Sequence, residues 1–160
     1  MSIEIVQADL TNPDQVSSVI DIVDSYAREP VGGSKPLTAE VRDRLAVELE
    51  SVPGLVVFLA LFDARPAGIA VCFRGYSTFS AKPLLNIHDL AVRPTSRNRG
   101  LGRALLHAVD DYARATGCCK VTLEVRENNT GARRLYRKFG YGDAGSDAEP
   151  MPTIFLEKTL

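Results

Sequence analysis

The stretch Arg97–Leu106, "RNRGLGRALL", decides the architecture of this chain. An apolar segment precedes it and apolar residues at helical spacing follow, so its two glycines stand where a strand gives way to a helix. A helix start exposes unpaired N–H groups with partial positive charge, glycine lets a ligand approach the backbone, and arginine donates charge-assisted hydrogen bonds to phosphate oxygens. The decamer therefore predicts a phosphate-binding turn. The alternative is an ordinary glycine turn with solvated arginines.

Strands and helices are expected on both sides of this turn. They are a strand at Ile3–Val6, a helix from Pro13 towards Pro30, a helix capped by Thr38, strands at Leu55–Phe62, Ala67–Phe73 and Leu84–Val92, a helix at Gly100–Thr116, a strand at Lys120–Val125, a helix at Asn129–Phe139 and a closing strand at Thr153–Glu157. This order predicts an α/β (α+β) fold with a mixed central sheet flanked by helices, in a single domain over residues 1–160.

Composition points to an ordinary globular protein. The 160 residues are 45% hydrophobic and 24% charged, with a formal net charge of -1, which does not favour binding to nucleic acid or to a membrane surface. The longest apolar run, Leu55–Phe62, is too short to span a bilayer, and the N-terminus lacks a secretion-signal pattern. The three cysteines have neither metal-binding nor redox spacing. We therefore expect reduced, core-packed thiols, no metal and a cytoplasmic location.

The glycine pattern differs from two common nucleotide-binding motifs. A Walker loop needs Lys followed by Ser or Thr after its second glycine, and this chain has Arg103 and Ala104. A dinucleotide-binding turn needs Gly or Ala three residues after Gly102, where Leu105 stands. The alternative that this chain is a nucleotide-binding regulator is therefore supported by the decamer alone.

Two motifs in register resemble the GNAT N-acetyltransferase superfamily. Arg97-x-x-Gly100-x-Gly102, after the strand end "HDLAVRP", resembles its acyl-CoA pyrophosphate loop, and "LEVRENNTGARRLYRKFGY" (Leu123–Tyr141) is similar to its second motif. The likeness spans residues 84–141, and the N-terminal half matches in the order of its elements only. It implies the GNAT fold with a mostly antiparallel sheet, acetyl-CoA as cosubstrate, and acetyl transfer to an amine.

The resemblance also implies which residues bind the donor. The pyrophosphate would contact the glycine turn, the pantetheine arm would pair with free backbone of the central strand, and the second motif would complete the site. These residues are Arg97, Asn98, Arg99, Gly100, Leu101, Gly102 and Arg103; Leu90, Ala91 and Val92; and Asn129, Ala132 and Tyr136. A strand N–H could also polarise the thioester carbonyl. For Asn129, a second interpretation is a helix N-cap.

Tyr136 matches the family's general acid, which protonates the departing thiolate. A phenol has an unperturbed pKa of about 10, roughly 1.5 units above that of a thiol, so it would be a modest donor. The alternative is structural, because Ala132, Leu135, Tyr136 and Phe139 form one apolar stripe at helical spacing.

Three residues could deprotonate the acceptor amine. Glu124 resembles the base of ribosomal-protein N-terminal acetyltransferases. His88 and Asp89 lie in "HDLAV", which is similar to diamine acetyltransferases, although those carry Glu where His88 stands. Each also has a structural interpretation: Glu124 as a solvated strand residue, Asp89 as a partner of nearby backbone, and His88 as a satisfied polar residue. The sequence leaves these alternatives open.

The acceptor is expected between the first two helices and a later loop. The family builds this pocket from segments that correspond to Tyr26–Thr38, where Glu29 could face a cationic amine, and to Tyr76–Pro83. The layout favours a small-molecule amine, with a peptide amine second and a non-catalytic CoA-binding module as the alternative class. Family members often form homodimers, for which Thr153–Glu157 is a candidate contact.

Overall fold

The computed structural model describes residues 1–142 and 155–160. Its strands are β1 (Ile3–Gln7), β2 (Leu55–Phe62), β3 (Arg65–Ser77), β4 (Lys82–Val92) and β5 (Val121–Leu123), and its helices are α1 (Pro13–Ala27), α2 (Ala39–Glu48), α3 (Leu101–Ala115) and α4 (Thr130–Lys138), with 3-10 turns at Leu49–Ser51 and Pro94–Ser96. The strands form one sheet in the order β1-β2-β3-β4-β5. The first four strands are antiparallel and β5 is parallel to β4, which confirms the mixed, mostly antiparallel sheet.

Two hydrophobic cores hold helices against opposite faces of the sheet. Leu105, Leu106 and Val109 of α3 are fully buried in the first core. Val19 and Ile22 of α1 are buried in the second, against the other face. Apolar burial of this kind supplies the main driving force for the fold. Because β2 and β3 are covered on both faces, they carry near-continuous apolar runs.

Local signals in the sequence set the helix boundaries. Asn12 accepts hydrogen bonds from the first turn of α1, and Thr38 and Asn129 do the same for α2 and α4. Such caps satisfy N–H groups that the helix itself cannot pair. Gly117 and Gly140 follow α3 and α4 with φ of 72° and 84°, a conformation that glycine adopts without strain.

Three expectations need correction. The fifth strand is shorter than predicted and stops at Leu123, so Glu124 lies outside it. Of the predicted closing strand Thr153–Glu157, its first two residues lie outside the described residues, and Phe155–Glu157 form no strand. Cys72 is buried as expected, but Cys119 is exposed, so core packing was wrong for that thiol.

Across residues 1–142 and 155–160, no helix combines the length and the apolar character needed to cross a membrane.

Candidate active site at the divergence of two strands

Strands β4 and β5 separate after a short parallel pairing. They pair at three positions, of which Ile87 with Leu123 is the last. β4 then continues to Val92, paired on its other side with β3, whereas β5 has ended. No other strand in the described part of the chain covers that edge of β4. Its backbone groups are therefore available to an extended ligand that carries amides.

A β-bulge lies at the start of this gap. Cys72 of β3 pairs with Ile87, but the preceding residue, Val71, pairs with Asp89, which leaves His88 as the extra residue. A bulge re-aims the side chains beside it. The His88 ring is exposed and packs edge-on against Phe73, with 5.5 Å between ring centroids.

Asp89 is a half-buried carboxyl group beside the bulge. Burial raises its pKa above the usual range, and the nearby His88 partly opposes this shift. The charge of Asp89 contributes in turn to the raised pKa of Tyr26, for which burial is the larger cause. Sequence reasoning missed a site role for Tyr26. The sequence signal that could have pointed to Tyr26 is its position seven residues after Val19, which places it on the apolar face of α1.

Tyr136 lies against the gap from the opposite face of the sheet. Its side chain is buried in the α3 core, and burial raises the pKa of Tyr136 to about 12, with a further contribution from Tyr26. Tyr26 packs with the α1 core, on the other face of the sheet from the core that holds Tyr136. The Tyr136 ring lies 5.8 Å from that of Tyr141, whose buried hydroxyl has no hydrogen-bond partner among the described residues.

The glycine turn leads into an uncapped helix. Asn98 and Gly100 have positive φ of 60° and 92°, and no side chain within the described residues caps α3 at Gly100. The first bond of the helix runs from the Ala104 N–H to the Gly100 carbonyl, at 3.0 Å. The N–H groups of Leu101, Gly102 and Arg103 precede that bond, so a bound anion could accept hydrogen bonds from them.

The three arginines of this turn, Arg97, Arg99 and Arg103, differ in what their side chains contact. Arg103 is exposed, and the Arg99 guanidinium lies 4.9 Å from the centroid of the Phe62 ring. Arg97 turns towards Glu29: its Nη2 lies 2.5 and 2.6 Å from the two carboxylate oxygens. Its Nε donates to the Val92 carbonyl at 3.1 Å. The expectation that Glu29 faces a cationic amine is therefore wrong in this structure, because Arg97 already neutralises it.

The other predicted donor-binding residues surround the gap. Leu90, Ala91 and Val92 form the part of β4 that extends past the last β5 pair. Asn129 is the N-cap of α4 and accepts from the Ala132 N–H at 3.3 Å, one turn before Tyr136. The structure thus confirms Asn129 as the N-cap of α4, and the donor contact stays a prediction.

Gly102 has a packing reason to be small. A Cβ at this position would lie 3.2 Å from Cδ2 of Leu135 in α4, tighter than ordinary side-chain contact. The second glycine of the motif therefore lets α3 and α4 approach closely, in addition to any role at the ligand.

The candidate bases lie together at the start of the gap. Because Ile87 pairs with Leu123, His88 and Glu124 are the first residues past the last pair, and Asp89 follows. Glu124 is exposed.

The second predicted pocket segment, Tyr76–Pro83, lies at the other end of β4. It comprises the end of β3, the turn and the start of β4, and His88 lies six positions along β4 from Lys82, roughly 20 Å of strand. This loop is therefore remote from the candidate bases, and its place beside the acceptor stays a prediction.

The geometry fits an acyl-CoA donor. Uncapped amides at a helix start suit a phosphate, an uncovered strand edge suits an arm with amides, and carboxyl and phenol groups at the gap suit proton transfer. Within residues 1–142 and 155–160, no cluster of His, Cys, Asp or Glu could hold a metal ion.

Known N-acetyltransferases are similar to this chain in sequence. The chain is 31% identical over 130 residues to a thialysine N-epsilon-acetyltransferase of Caenorhabditis elegans, covering 81% of this chain and 78% of that protein. It is 37% identical over 84 residues to the N-alpha-acetyltransferase RimI of Mycobacterium tuberculosis, covering 51% of each. Apart from the nematode protein, the chain spans 38–58% of the length of the first curated relatives it matches.

Solved structures and a family model complete the comparison. The crystal structure of a probable acetyltransferase shares the fold with a TM-score of 0.76 and 21% identity, covering 97% of this chain and 99% of that one. A model described as the Acetyltransferase (GNAT) family matches residues 19–141. The chain therefore belongs to the GNAT acetyltransferase family.

Proposed function

We propose that this protein is an acetyl-CoA-dependent N-acetyltransferase that acetylates the primary amine of a small molecule by direct attack on the thioester. The observation that carries the proposal is the divergence of β4 and β5 after Ile87 and Leu123, with Asp89 and Glu124 at its start and Tyr136 against it. Acetyl-CoA, the acyl donor of the family, supplies an activated acetyl group with a thiolate as leaving group.

Two parts of the backbone hold the donor in this proposal. The free N–H groups of Leu101–Arg103 bind the pyrophosphate, assisted by the charges of Arg99 and Arg103. The uncovered edge of Leu90–Val92 pairs with the pantetheine amides. A backbone N–H on that edge also stabilises negative charge developing on the thioester oxygen.

Asp89 is the base in this proposal. An alkylammonium group has a pKa of about 10 and must lose a proton before it attacks. The half-buried position of Asp89 raises its pKa, which makes its carboxylate a stronger base. Glu124, exposed just past β5, attracts the cationic amine. His88 packs against Phe73, and this proposal assigns it no proton transfer.

Tyr136 stabilises the leaving thiolate. Because burial raises the pKa of Tyr136 to about 12, its hydroxyl stays protonated at neutral pH. That value lies well above a thiol pKa of about 8.5, so complete proton transfer to sulfur is uphill. A hydrogen bond from the phenol to the departing sulfur is the contribution that remains.

A small-molecule amine is the favoured acceptor for two reasons. The relative named for thialysine matches over most of both chains, whereas the relative named as an N-alpha-acetyltransferase matches over half of each. Asp89 and Glu124 also place two carboxylates at the gap, which suits a cationic ligand. A peptide amine is the second candidate, supported by the latter relative.

The test is a thiol-release assay with acetyl-CoA. Purified protein is offered diamines, lysine-like amino acids, aminoglycosides and short peptides with free N-termini, and mass spectrometry identifies the acetylated product. We expect turnover of a small amine, with a large loss in Asp89→Asn. If only peptides are acetylated, the acceptor is a peptide amine and not a small-molecule amine. CoA binding without turnover of any amine would instead indicate a non-catalytic CoA-binding module.

A further inference from the structure

The loop between α1 and α2, residues 28–38, is ordered around one residue. The backbone carbonyl of Glu29 accepts hydrogen bonds from the N–H groups of Gly32, Gly33 and Ser34, at 2.9, 3.1 and 3.0 Å. Any side chain at Gly32 would collide with a backbone carbonyl of α1, so the loop is closely packed there. The position of Glu29 therefore determines the conformation of this α1–α2 loop.

The side chain of Glu29 connects this loop to a distant segment. Its carboxylate pairs with the Arg97 guanidinium, 68 residues further along the chain. Glu29 is 19% exposed and Arg97 is 43% exposed, so water screens the pair less than it would on an open surface. The Nε of Arg97 is bonded to the carbonyl of Val92, so the guanidinium bridges two partners.

The two partners of Arg97 belong to separate segments of the chain. Val92 is the last residue of β4, and Arg97 begins the turn whose free amides are assigned to the donor pyrophosphate. The planar guanidinium has several fixed donors, so it can hold a carboxylate and a carbonyl together, which a lysine ammonium does less well.

We propose that Glu29 is a positioning residue that, through Arg97, couples donor binding at residues 97–103 to the order of the α1–α2 loop. A bound donor restricts the turn and the Arg97 backbone, and the ion pair transmits the restriction to Glu29 and to the amides bonded to its carbonyl. The α1–α2 loop is thus ordered by the donor, and by linkage an ordered loop favours donor binding equally. This inference rests on the proposed function only for the assignment of the turn to the donor.

Hydrogen exchange measured by mass spectrometry tests the coupling with CoA as the probe, so no acceptor needs to be known. The full chain is compared with and without saturating CoA, following peptides that cover residues 28–38 and 97–103. In wild type we expect CoA to slow exchange in both, by about fivefold or more in the α1–α2 loop. In Glu29→Gln the turn stays protected by CoA, while the loop loses its response.

Two further variants separate this role from a general effect on the fold. Arg97→Lys keeps the positive charge but holds Val92 and Glu29 together less well, so we expect most of the loop response to be lost. Glu48→Gln removes an exposed ion pair with Arg44, of 3.1 Å, within α2, and should respond to CoA as wild type does. Thermal melts of each variant verify folding.

The outcomes are distinct. Protection of the turn without protection of the loop in wild type would overturn the coupling and leave the proposed function intact. Equal protection of the loop in wild type and Glu29→Gln would also overturn it, because the ligand would then order the loop directly. No protection of residues 97–103 in any variant would remove the proposed donor site, and this inference with it.

Discussion

Ile87 and Leu123 form the last backbone pair between β4 and β5, and the site begins one residue beyond them. The preceding position is fixed by side chains, because Asn86 donates to the Thr122 hydroxyl at 3.0 Å and more weakly to its carbonyl. The two strands are therefore held together up to this point and separate after it. An opening with one anchored side is pre-organised for a ligand, which lowers the entropic cost of binding.

Replacing Gly100 by alanine should weaken CoA binding as well as the fold. A non-glycine residue at φ of 92° costs about 1 kcal/mol and disturbs the amides at the start of α3. We expect the dissociation constant for CoA, measured by calorimetry, to rise about tenfold, which corresponds to one charge-assisted hydrogen bond.

Gly117→Ala is the matched control for this change. Gly117 has a φ of 72° at the other end of α3, with open space around its Cα. The substitution should lower the melting temperature by a similar amount and leave the CoA dissociation constant unchanged. Equal CoA affinity in both variants would show that the glycine turn does not bind the donor.

Asp89→Asn should separate activity from stability. Removing the base should lower kcat/KM by about 100-fold or more. Burial raises the pKa of Asp89, so its ionised form destabilises the folded state at every pH above the folded pKa and this cost disappears in acid. The neutral asparagine removes that cost, so we expect an equal or higher melting temperature at pH 7.

Glu124→Gln is the companion variant for the base. If Glu124 only attracts the amine, its loss should raise KM and leave kcat nearly unchanged. A large fall in kcat for Glu124→Gln together with an active Asp89→Asn would transfer the role of base to Glu124. The pH dependence of kcat/KM in each variant identifies which carboxyl sets the acidic limb.

Much of the scaffold is predictable because its signals are local. The strand Leu55–Phe62 has its predicted limits, since an apolar run ends there at a tight turn in which Asp63 and Ala64 both have positive φ. The caps at Asn12 and Thr38 follow from side chains that satisfy N–H groups within the next three residues. In each case the deciding atoms lie close together in sequence.

The details of the site depend on contacts that the sequence does not show. The bulge at His88 exists only relative to β3, so no pattern within β4 reveals it. Arg97 was assigned to phosphate because it stands in the motif, but its nearest anion is Glu29, on a loop that folds back from the N-terminal half. The end of β5 before Glu124 likewise depends on where pairing to β4 stops. A cytoplasmic location and a homodimer stay predictions.

In Tyr136→Phe, the free energy of unfolding should fall less steeply with rising alkaline pH than it does in wild type. The folded pKa is about 12, whereas an unfolded phenol titrates near pH 10. The unfolded chain therefore releases its proton first. This contribution to stability is complete below about pH 10 and is lost between about pH 10 and 12. The free energy of unfolding, from urea titrations at pH 8 to 11.5, should fall by about 2 kcal/mol more in wild type than in the variant.

Tyr76→Phe is the control for the loss of a phenol hydroxyl. Tyr76 is 63% exposed near the end of β3, away from the gap. The Tyr76→Phe variant should leave unchanged both acetyl transfer and the fall of the unfolding free energy at alkaline pH. Tyr136→Phe should reduce that fall and should also lower kcat. An alkaline slope in Tyr136→Phe as steep as in wild type would contradict the raised pKa.

Asn129 can be tested for its two roles separately. Its side chain caps α4, so Asn129→Ala should lower the unfolding free energy by about 1 kcal/mol. Asn129→Ser keeps a capping oxygen but removes the amide, so stability should stay within about 0.5 kcal/mol of wild type. If the amide also contacts the donor, the CoA dissociation constant of Asn129→Ser should rise about fivefold, as for one lost hydrogen bond.

The same exchange at Asn12 provides the reference for that result. Asn12 caps α1 through the N–H groups of Asp14 and Gln15, at 3.0 and 3.3 Å, and has no role in the proposed site. Asn12→Ser should therefore bind CoA as wild type does, with the same small change in stability. If Asn129→Ser also bound CoA with wild-type affinity, Asn129 would be a helix cap alone, and the donor contact implied by the family motif would be absent from this chain.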